Sequence, residues 1–139
     1  MILLDTNVVS ALMRLPFEPV VAKWLAAQRI EQLFATTPTV FEIRFGIEIK
    51  PQGRRRTALE AAFEDVLGNL LAHRVVIFDE AAAIAAGEAH AIHKKKGITV
   101  SIPDSQIAGI ALAHGVPIAT SDIGDFAHLG IPLINPWSG

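Results

Sequence analysis

The chain has no cysteine among its 139 residues, and this absence narrows the chemistry that it can perform. A disulfide framework and a thiolate metal site are excluded, so any bound metal must use oxygen or imidazole ligands. The His-Glu-x-x-His segment of helical zinc sites is also missing. Metal chemistry, if the protein performs it, therefore has to rest mainly on carboxylates.

Long apolar runs are absent as well. Residues 81–87 and 107–113 are apolar but are soon interrupted by Glu88 and His114, far short of the roughly 20 residues that span a bilayer. The N-terminus has neither a basic region nor a long apolar stretch, so nothing in it predicts secretion. We therefore expect no membrane contact and a cytoplasmic location.

An excess of basic charge is the third thing missing. The chain has 12 Lys and Arg against 14 Asp and Glu, a formal net charge of −2, whereas most nucleic-acid-binding domains are basic overall. The basic residues are nevertheless clustered at 54–56 and 94–96. These clusters are solvated surface by default, and beside a nucleic-acid site they would contact backbone phosphates.

The composition does supply a core. Hydrophobic residues make up 51% of the chain and charged residues 19%, which predicts a folded protein rather than a disordered one. The length is that of one ordinary domain, too short for two. We therefore expect a single domain over residues 1–139.

Short continuous apolar runs recur along the chain, and each fits a buried strand of a parallel sheet better than an exposed alternating strand. The predicted strands cover residues 2–4, 33–36, 75–78, 117–120 and 131–134. Helical patterns lie between them at residues 20–25, 59–71, 81–95 and 101–114, with a turn at 50–56. This alternation predicts an α/β fold, a mostly parallel central sheet flanked by helices.

Four acids lie at or near the ends of these elements: Asp5, Glu42, Asp104 and Asp122. Each also has a purely structural explanation. Asp5 can cap the following helix. Thr39 with Glu42 matches a capping box, and when Glu42 is considered by itself we favour this structural interpretation. Asp104 suits a first helical turn, and Asp122 and Asp125 suit a turn.

The four acids are nevertheless offered by separate segments that an α/β topology can gather at the carboxyl ends of its strands. Gathered carboxylates repel each other and raise one another's pKa unless a cation neutralises them. Oxygen ligands without thiols suit Mg²⁺ or Mn²⁺, which also bind substrate phosphates. The joint pattern therefore predicts metal-assisted attack of water on a phosphodiester.

Five segments, taken in order, resemble PIN-domain ribonucleases, and most of all the VapC and FitB toxin subgroup. They are Leu-Leu-Asp-Thr-Asn, Thr-Val-Phe-Glu-Ile-Arg-Phe-Gly, Asp-Ser-Gln-Ile-Ala-Gly-Ile-Ala, Ala-Thr-Ser-Asp-Ile-Gly-Asp-Phe and Asn-Pro-Trp. Each segment is weakly specific, but together they extend over essentially the whole chain. The resemblance implies a Mg²⁺- or Mn²⁺-dependent endoribonuclease that cleaves RNA.

Carried over by position, the resemblance implies that the four acids are both the catalytic residues and the metal ligands, with Asp5 and Asp104 the surest. Many relatives have Asn at the position of Asp122 and an acid at that of Asp125, so either residue can complete the quartet. Thr6 and Thr120 match hydroxyl positions beside the acids. The resemblance also implies a toxin that forms a homodimer, is inhibited by a small antitoxin protein, and reaches operator DNA through the antitoxin complex.

Two alternatives remain open. One is a phosphatase of the haloacid-dehalogenase type, which also places Asp after its first strand. Those enzymes have the motif Asp-x-Asp at that point, whereas this chain has Asn7 in place of the second acid. The other is a binding module that holds an antitoxin, free or on operator DNA, with weak or no nuclease activity. The presence of all four acids counts against degenerate chemistry.

Two further groups of residues are interpreted as structural. His90 and His93 are three apart on a predicted helix with nothing nearby to complete a metal site, so we predict that they lie on a solvated face. Phe45, Phe63 and Phe78 fall on apolar faces, and we predict core positions rather than platforms for stacking bases.

Overall fold

Five parallel strands form the central sheet in the computed structural model, which describes residues 1–138. The strands are β1 (Ile2–Leu4), β2 (Leu33–Thr36), β3 (Val75–Val76), β4 (Ile118–Ala119) and β5 (Leu133–Ile134). Their order is β3-β2-β1-β4-β5 with every neighbouring pair parallel. The α/β prediction is confirmed.

The chain runs outward from β1 in two directions, to β2 and β3 on one side and to β4 and β5 on the other. The topological switch point therefore lies between β1 and β4, which pair directly. Ligands of open parallel sheets bind outside the carboxyl ends of the strands at this point. Asp5 follows β1 and Thr120 follows β4, so both lie there.

Within residues 1–138, six α-helices flank the sheet: α1 (Thr6–Leu12), α2 (Pro19–Ala26), α3 (Thr37–Glu48), α4 (Arg54–Glu64), α5 (Glu80–Lys95) and α6 (Ile102–His114). A π-helical segment, Asp65–Leu70, continues α4, and 3-10 turns cover Ile30–Gln32 and Ile123–Phe126. None of the helices within residues 1–138 is long and apolar enough to cross a membrane.

Strand β1 is buried on both faces because it lies at the centre of the sheet. Leu3 and Leu4 are both fully buried, and they belong to two separate hydrophobic clusters. Alternate side chains of a strand point to opposite faces, so one cluster lies on each side of the sheet. This double burial explains why β1 is a continuous apolar run.

The ends of several elements differ from the predictions. Strands β3, β4 and β5 are two residues long, shorter than the predicted runs. At β3, for example, the Phe78 backbone N–H donates to Thr37 Oγ1 instead of a neighbouring strand. The predicted turn at 50–56 is also too long, since α4 already begins at Arg54.

The predicted capping box at Thr39 and Glu42 is wrong. The N-cap of α3 is Thr36, in extended conformation, and its hydroxyl accepts from the Thr39 backbone N–H at 3.4 Å. Helix α3 therefore begins at Thr37, with Pro38 in its first turn. Glu42 is consequently an interior helical residue whose carboxylate is free for another role.

Helices α5 and α6 pack at very close range where Gly109 faces α5. A Cβ atom placed on Gly109 would lie 2.3 Å from the Ala82 carbonyl oxygen and 2.7 Å from the Ala86 backbone nitrogen. Only a residue without a side chain fits there. This contact fixes the position of α6, which carries Asp104 in its first turn.

Candidate active site

Asp5 joins the carboxyl ends of the two central strands. It is 3% exposed and caps α1, with Oδ1 accepting from the Thr6 backbone N–H at 2.8 Å. Its Oδ2 accepts from the Thr120 hydroxyl, just beyond β4, at 2.7 Å. The capping interpretation of Asp5 is therefore correct, and the same carboxylate also lines the cavity described below.

Glu42 is held beside Asp5 through a threonine. The Thr6 hydroxyl donates to Glu42 Oε1 at 2.7 Å and lies 2.9 Å from the Thr39 hydroxyl. Since Thr6 has one hydroxyl proton and gives it to Glu42, Thr39 is the donor in the second contact. The neighbouring Thr6 and Glu42 thus fix one another's orientation across α1 and α3.

Asn7 connects α1 to the segment after β4, although sequence analysis gave it no role in the site. Its Nδ2 donates to Ser121 Oγ at 2.8 Å and to Asp122 Oδ2 at 3.0 Å. The Asp122 backbone N–H donates in turn to the Thr120 hydroxyl at 2.9 Å. The Asp-Thr-Asn segment was noted only for its family resemblance, and nothing local indicated that Asn7 would reach Asp122.

Asp104 approaches the same cavity from the first turn of α6. Ser101 caps that helix by accepting from the Asp104 backbone N–H at 3.2 Å, as the sequence predicted. Asp122 lines the cavity together with Asp104, whereas Asp125 does not contribute to its lining. Asp125 is still close enough to raise the pKa of Asp104.

The carboxylates destabilise one another's charge. Burial raises the pKa of Asp5 to about 7, with contributions from Asp104 and Asp122, against hydrogen bonds from Thr120 and Thr6 that lower it. Burial also raises the pKa of Asp104 to about 6, and the charges of Glu42, Asp125 and Asp122 add to this effect. A site with this balance favours a bound cation or a proton.

The donor set fits a hard divalent cation. The cavity lining contains carboxylate, hydroxyl and amide oxygens and no sulfur, the ligand types that Mg²⁺ and Mn²⁺ prefer. No group of three or more His, Asp and Glu side chains among residues 1–138 is arranged to hold one ion. Mg²⁺ needs fewer, since it is usually held by one or two carboxylates and keeps several waters.

The cavity has a volume of about 500 Å³ and extends beyond the four acids. The residues that line it are Asp5, Thr6, Asn7, Ser10, Ala11, Arg14, Glu18, Glu42, Asp104, Ser121, Asp122 and Trp137. No sequence pattern indicated Arg14 or Glu18 as part of the site. Trp137 belongs to the closing Asn-Pro-Trp segment of the family resemblance, which could have indicated it.

The prediction that His90 and His93 lie on a solvated face is wrong. The His93 side chain is 1% exposed, and its Nε2 lies 2.7 Å from the Ala127 carbonyl oxygen, to which it donates. His90 is half-buried, with Nδ1 2.7 Å from Ser105 Oγ. Both lie on the face of α5 that α6 and the segment after β4 cover, so neither lies on a solvated face.

The core prediction for the phenylalanines holds for two of three. Phe63 is buried and Phe78 packs against a core cluster, but Phe45 is 57% exposed. Phe45 lies on the face of α3 away from the buried Ile43 and Ile47, where it stacks on Phe41 with ring centroids 6.4 Å apart. The apolar stripe of α3 is therefore wider than the part that faces the core.

These observations define a class: a parallel α/β domain with carboxylates gathered at its topological switch point. Residues 2–131 match the model of the PIN domain family. The chain therefore belongs to the PIN domain family, and the phosphatase alternative is wrong.

Three curated relatives are similar over nearly the whole chain. Plasmid stability protein StbB of Pseudomonas syringae pv. tomato is 42% identical, with 99% of both chains covered. VapC ribonuclease Y4jK of Sinorhizobium fredii is 39% identical (99% of this chain, 98% of that one), and toxin FitB of Neisseria gonorrhoeae is 35% identical (99% of both). The structure of FitAB bound to an IR36 DNA fragment superimposes with a TM-score of 0.86 at 32% identity, covering 99% of this chain and 96% of that one.

Proposed function

We propose that the protein is a divalent-metal-dependent endoribonuclease that hydrolyses RNA phosphodiester bonds in the cavity at the switch point. The observation that carries this proposal is the gathering of acids from four separate segments in one cavity, and the raised pKa values of Asp5 and Asp104 support it. Perturbed carboxylates in a cleft are typical of catalytic sites. The name VapC ribonuclease, carried by a relative 39% identical, supports RNA as the substrate.

Asp5 and Asp104 would hold Mg²⁺ or Mn²⁺, with Glu42 and Asp122 completing the acidic quartet. When bound, the ion would supply positive charge that stabilises the phosphate in the transition state and lowers the pKa of a water. Asp122 is favoured over Asp125 for the fourth position because it lines the cavity and Asp125 does not. Asp125 would act on the site through its charge alone.

Thr6 and Thr120 orient the acids. Thr120 donates to Asp5 Oδ2, which occupies one lone pair of that oxygen and leaves the other available to a ligand. Thr6 holds Glu42 Oε1 in the same way. Hydroxyl groups of this kind restrict the carboxylate rotamers without adding charge. Asn7 does the same for Asp122 through its amide nitrogen.

The protein would act as the toxin of a toxin–antitoxin pair in the cytoplasm. A small antitoxin protein would inhibit it, and the complex of the two would bind operator DNA. The relative FitB is named a toxin, and FitAB has been solved bound to a DNA fragment, which supports this assignment.

We further propose that the protein is a homodimer. Helix α3 exposes an apolar stripe of Phe41, Phe45 and Ile49, whose exposed fractions are 68%, 57% and 67%. These residues recur every four positions, so they lie along one side of the helix. Soluble monomers rarely leave large apolar side chains contiguous on the surface, and a second copy of the chain would cover them.

The proposed activity is tested with purified protein and a panel of labelled structured RNAs, in Mg²⁺, in Mn²⁺ and in chelator. We expect cleavage only with metal. Asp104→Asn should lower the cleavage rate by at least about 100-fold, since removing one transition-state-stabilising group typically has that effect. Asp65→Asn is the matched control because Asp65 is an exposed acid outside the cavity.

Cleavage by Asp104→Asn at the wild-type rate would contradict the proposed site. No cleavage of any RNA by the folded wild-type protein would instead favour the alternative, an antitoxin-binding module with weak or no nuclease activity.

A further inference from the structure

One wall of the cavity is made of residues that the proposed metal chemistry does not use. Arg14, Glu18 and Trp137 line the same cavity as the four acids. Arg14 continues the side of α1 that faces the cavity, since Ser10 and Ala11 also line it one turn earlier. The wall is therefore directly continuous with the acidic site.

Trp137 is held in a defined position within this wall. Its backbone N–H donates to Asn135 Oδ1 at 2.9 Å, and its indole Nε1 donates to Glu18 Oε2 at 3.3 Å. The side chain is half-buried and packs against the edge of a core cluster. A fixed, partly exposed aromatic ring is the kind of group on which single-stranded nucleic acids stack their bases.

Arg14 is the one cation among the residues that line the cavity, within the part of the chain that the structure describes. Its side chain is exposed, and it forms no ion pair with an acid in residues 1–138. A guanidinium group matches phosphate oxygens in charge and geometry. It would offset the repulsion between the cavity acids and an RNA backbone.

The size of the cavity agrees with this use. A volume of about 500 Å³ lies within the range of sites that enclose whole small ligands, roughly 300 to 1,000 Å³. A hydrated metal ion and one phosphate group fill only part of it. The space beside Trp137 and Arg14 is left for a base and a second phosphate.

We propose that Arg14, Glu18 and Trp137 form a nucleotide subsite that binds one unpaired nucleotide next to the cleaved bond. Trp137 stacks on the base, Arg14 binds a neighbouring phosphate, and Glu18 positions the indole ring. This inference rests on the proposed nuclease function. It narrows the substrate class to RNA that presents an unstacked base, as in a loop or single strand, because a base paired in a helix cannot stack on a side chain.

Binding can be measured separately from cleavage. The chain has two tryptophans, and Trp24 does not line the cavity. In Trp24→Phe protein, Trp137 is the only tryptophan fluorophore, and chelator prevents cleavage by the proposed mechanism. We expect a single-stranded RNA hexanucleotide to quench this fluorescence, and a fully paired RNA duplex of the same sequence to quench it far less.

The decisive experiment combines a protein variant with removal of one base. Hexanucleotides with a single abasic position, scanned along the chain, keep all phosphates. At one position, base loss should weaken binding to the wild-type protein about tenfold and leave binding to Trp137→Ala unchanged, because stacking on an aromatic side chain contributes that much per base. Trp137→Phe should restore most of the difference, which controls for a general loss of structure.

In cleavage assays, Trp137→Ala should raise KM about tenfold with little change in kcat, the pattern of a lost binding interaction. Additive effects of base loss and Trp137→Ala at every position would overturn the subsite. So would a Trp137→Ala variant that loses antitoxin binding but retains full RNA affinity. Absence of metal-dependent cleavage by the wild-type protein would contradict the nuclease, whereas the binding cycle in chelator tests the subsite by itself.

Discussion

Asp5 is the most buried of the carboxylates that line the cavity. It caps α1 and accepts a hydrogen bond from Thr120, so its position is fixed by two central strands at once. These hydrogen bonds stabilise the ionised form, but burial and the neighbouring acids outweigh them, and the pKa rises to about 7. Hydrogen bonds therefore hold the Asp5 side chain in place, whereas burial and the neighbouring acids destabilise its ionised form.

Ionisation of Asp5 should therefore lower the free energy of unfolding of the metal-free protein as pH rises from about 4 to about 7. The folded-state pKa of Asp5, about 7, lies above the usual value of 3.8, so the folded state binds more protons than the unfolded chain in this interval. At 1.36 kcal/mol per pKa unit, ionising Asp5 costs the folded state on the order of 4 kcal/mol. Asp5→Asn lacks this cost because its amide does not ionise.

Urea unfolding in chelator at several pH values measures this effect. We expect the unfolding free energy of Asp5→Asn minus that of wild type to be small near pH 4 and to increase up to pH 7. Asp65→Asn, which changes an exposed acid outside the cavity, is the matched control. A difference for Asp5→Asn that stays constant with pH would mean that the pKa of Asp5 is not raised.

Asp5, Asp104 and Asp122 were predictable because each stands beside a strand or helix end that a local pattern reveals. Glu42 lies in the interior of α3, and it was found from the family resemblance and from a capping box that does not form. Asn7, Arg14 and Trp137 were missed for a different reason. Their positions in the cavity depend on how α1 packs against the segments after β4 and β5, and no local pattern encodes that packing.

At the scale of elements, the close contact between α5 and α6 positions the helix that carries Asp104. Gly109 lets the two helices approach until a methyl group would overlap the Ala82 carbonyl oxygen. The approach sets where the first turn of α6 begins, and hence where Asp104 meets the other acids.

Gly109→Ala should destabilise the protein by about 1–3 kcal/mol, because the added methyl group forces α5 and α6 apart. Gly87→Ala is the matched control. It lies in the interior of α5 with no atom within 4 Å of an added Cβ, so it should stabilise the helix by about 0.5–1 kcal/mol. Thermal unfolding of both variants decides, and equal melting temperatures would contradict the close packing.

Element boundaries were predictable where one signal dominated. Strands β1 and β2 were predicted at their observed bounds because they are continuous apolar runs in the buried centre of the sheet. The start of α3 was misplaced because Thr36 and Thr39 are both suitable caps, and only the extended backbone of Thr36 decides between them. Such ties between local signals are resolved by tertiary structure.

At the scale of the whole molecule, the exposed apolar stripe on α3 is the surface through which we propose that two copies of the chain associate. The stripe consists of Phe41, Phe45 and Ile49, which form an exposed apolar face of α3. None of the three lines the acidic cavity. The sequence showed the apolar residues of α3 but could not show which of them the core leaves uncovered.

Phe45→Asp should convert the proposed homodimer to monomer in sedimentation experiments. In a two-fold interface the stripe meets its own copy, so the substitution brings two like charges together in a desolvated contact. Leu15→Asp is the matched control because Leu15 is 75% exposed and lies outside the stripe. A Phe45→Asp protein that remains dimeric would show that the dimer, if formed, uses another surface.

Calorimetric titration of Mn²⁺ into chelator-treated protein at pH 6 shows whether the acids at the switch point form one divalent-cation site. We predict saturable binding that releases protons, detected as a heat that depends on the buffer, because Asp5 and Asp104, with pKa values of about 7 and about 6, carry protons at that pH. Asp5→Asn should abolish this binding, and Asp65→Asn should leave it intact. No Mn²⁺ binding by the folded wild-type protein at millimolar concentration, or equal binding by Asp5→Asn, would contradict the account.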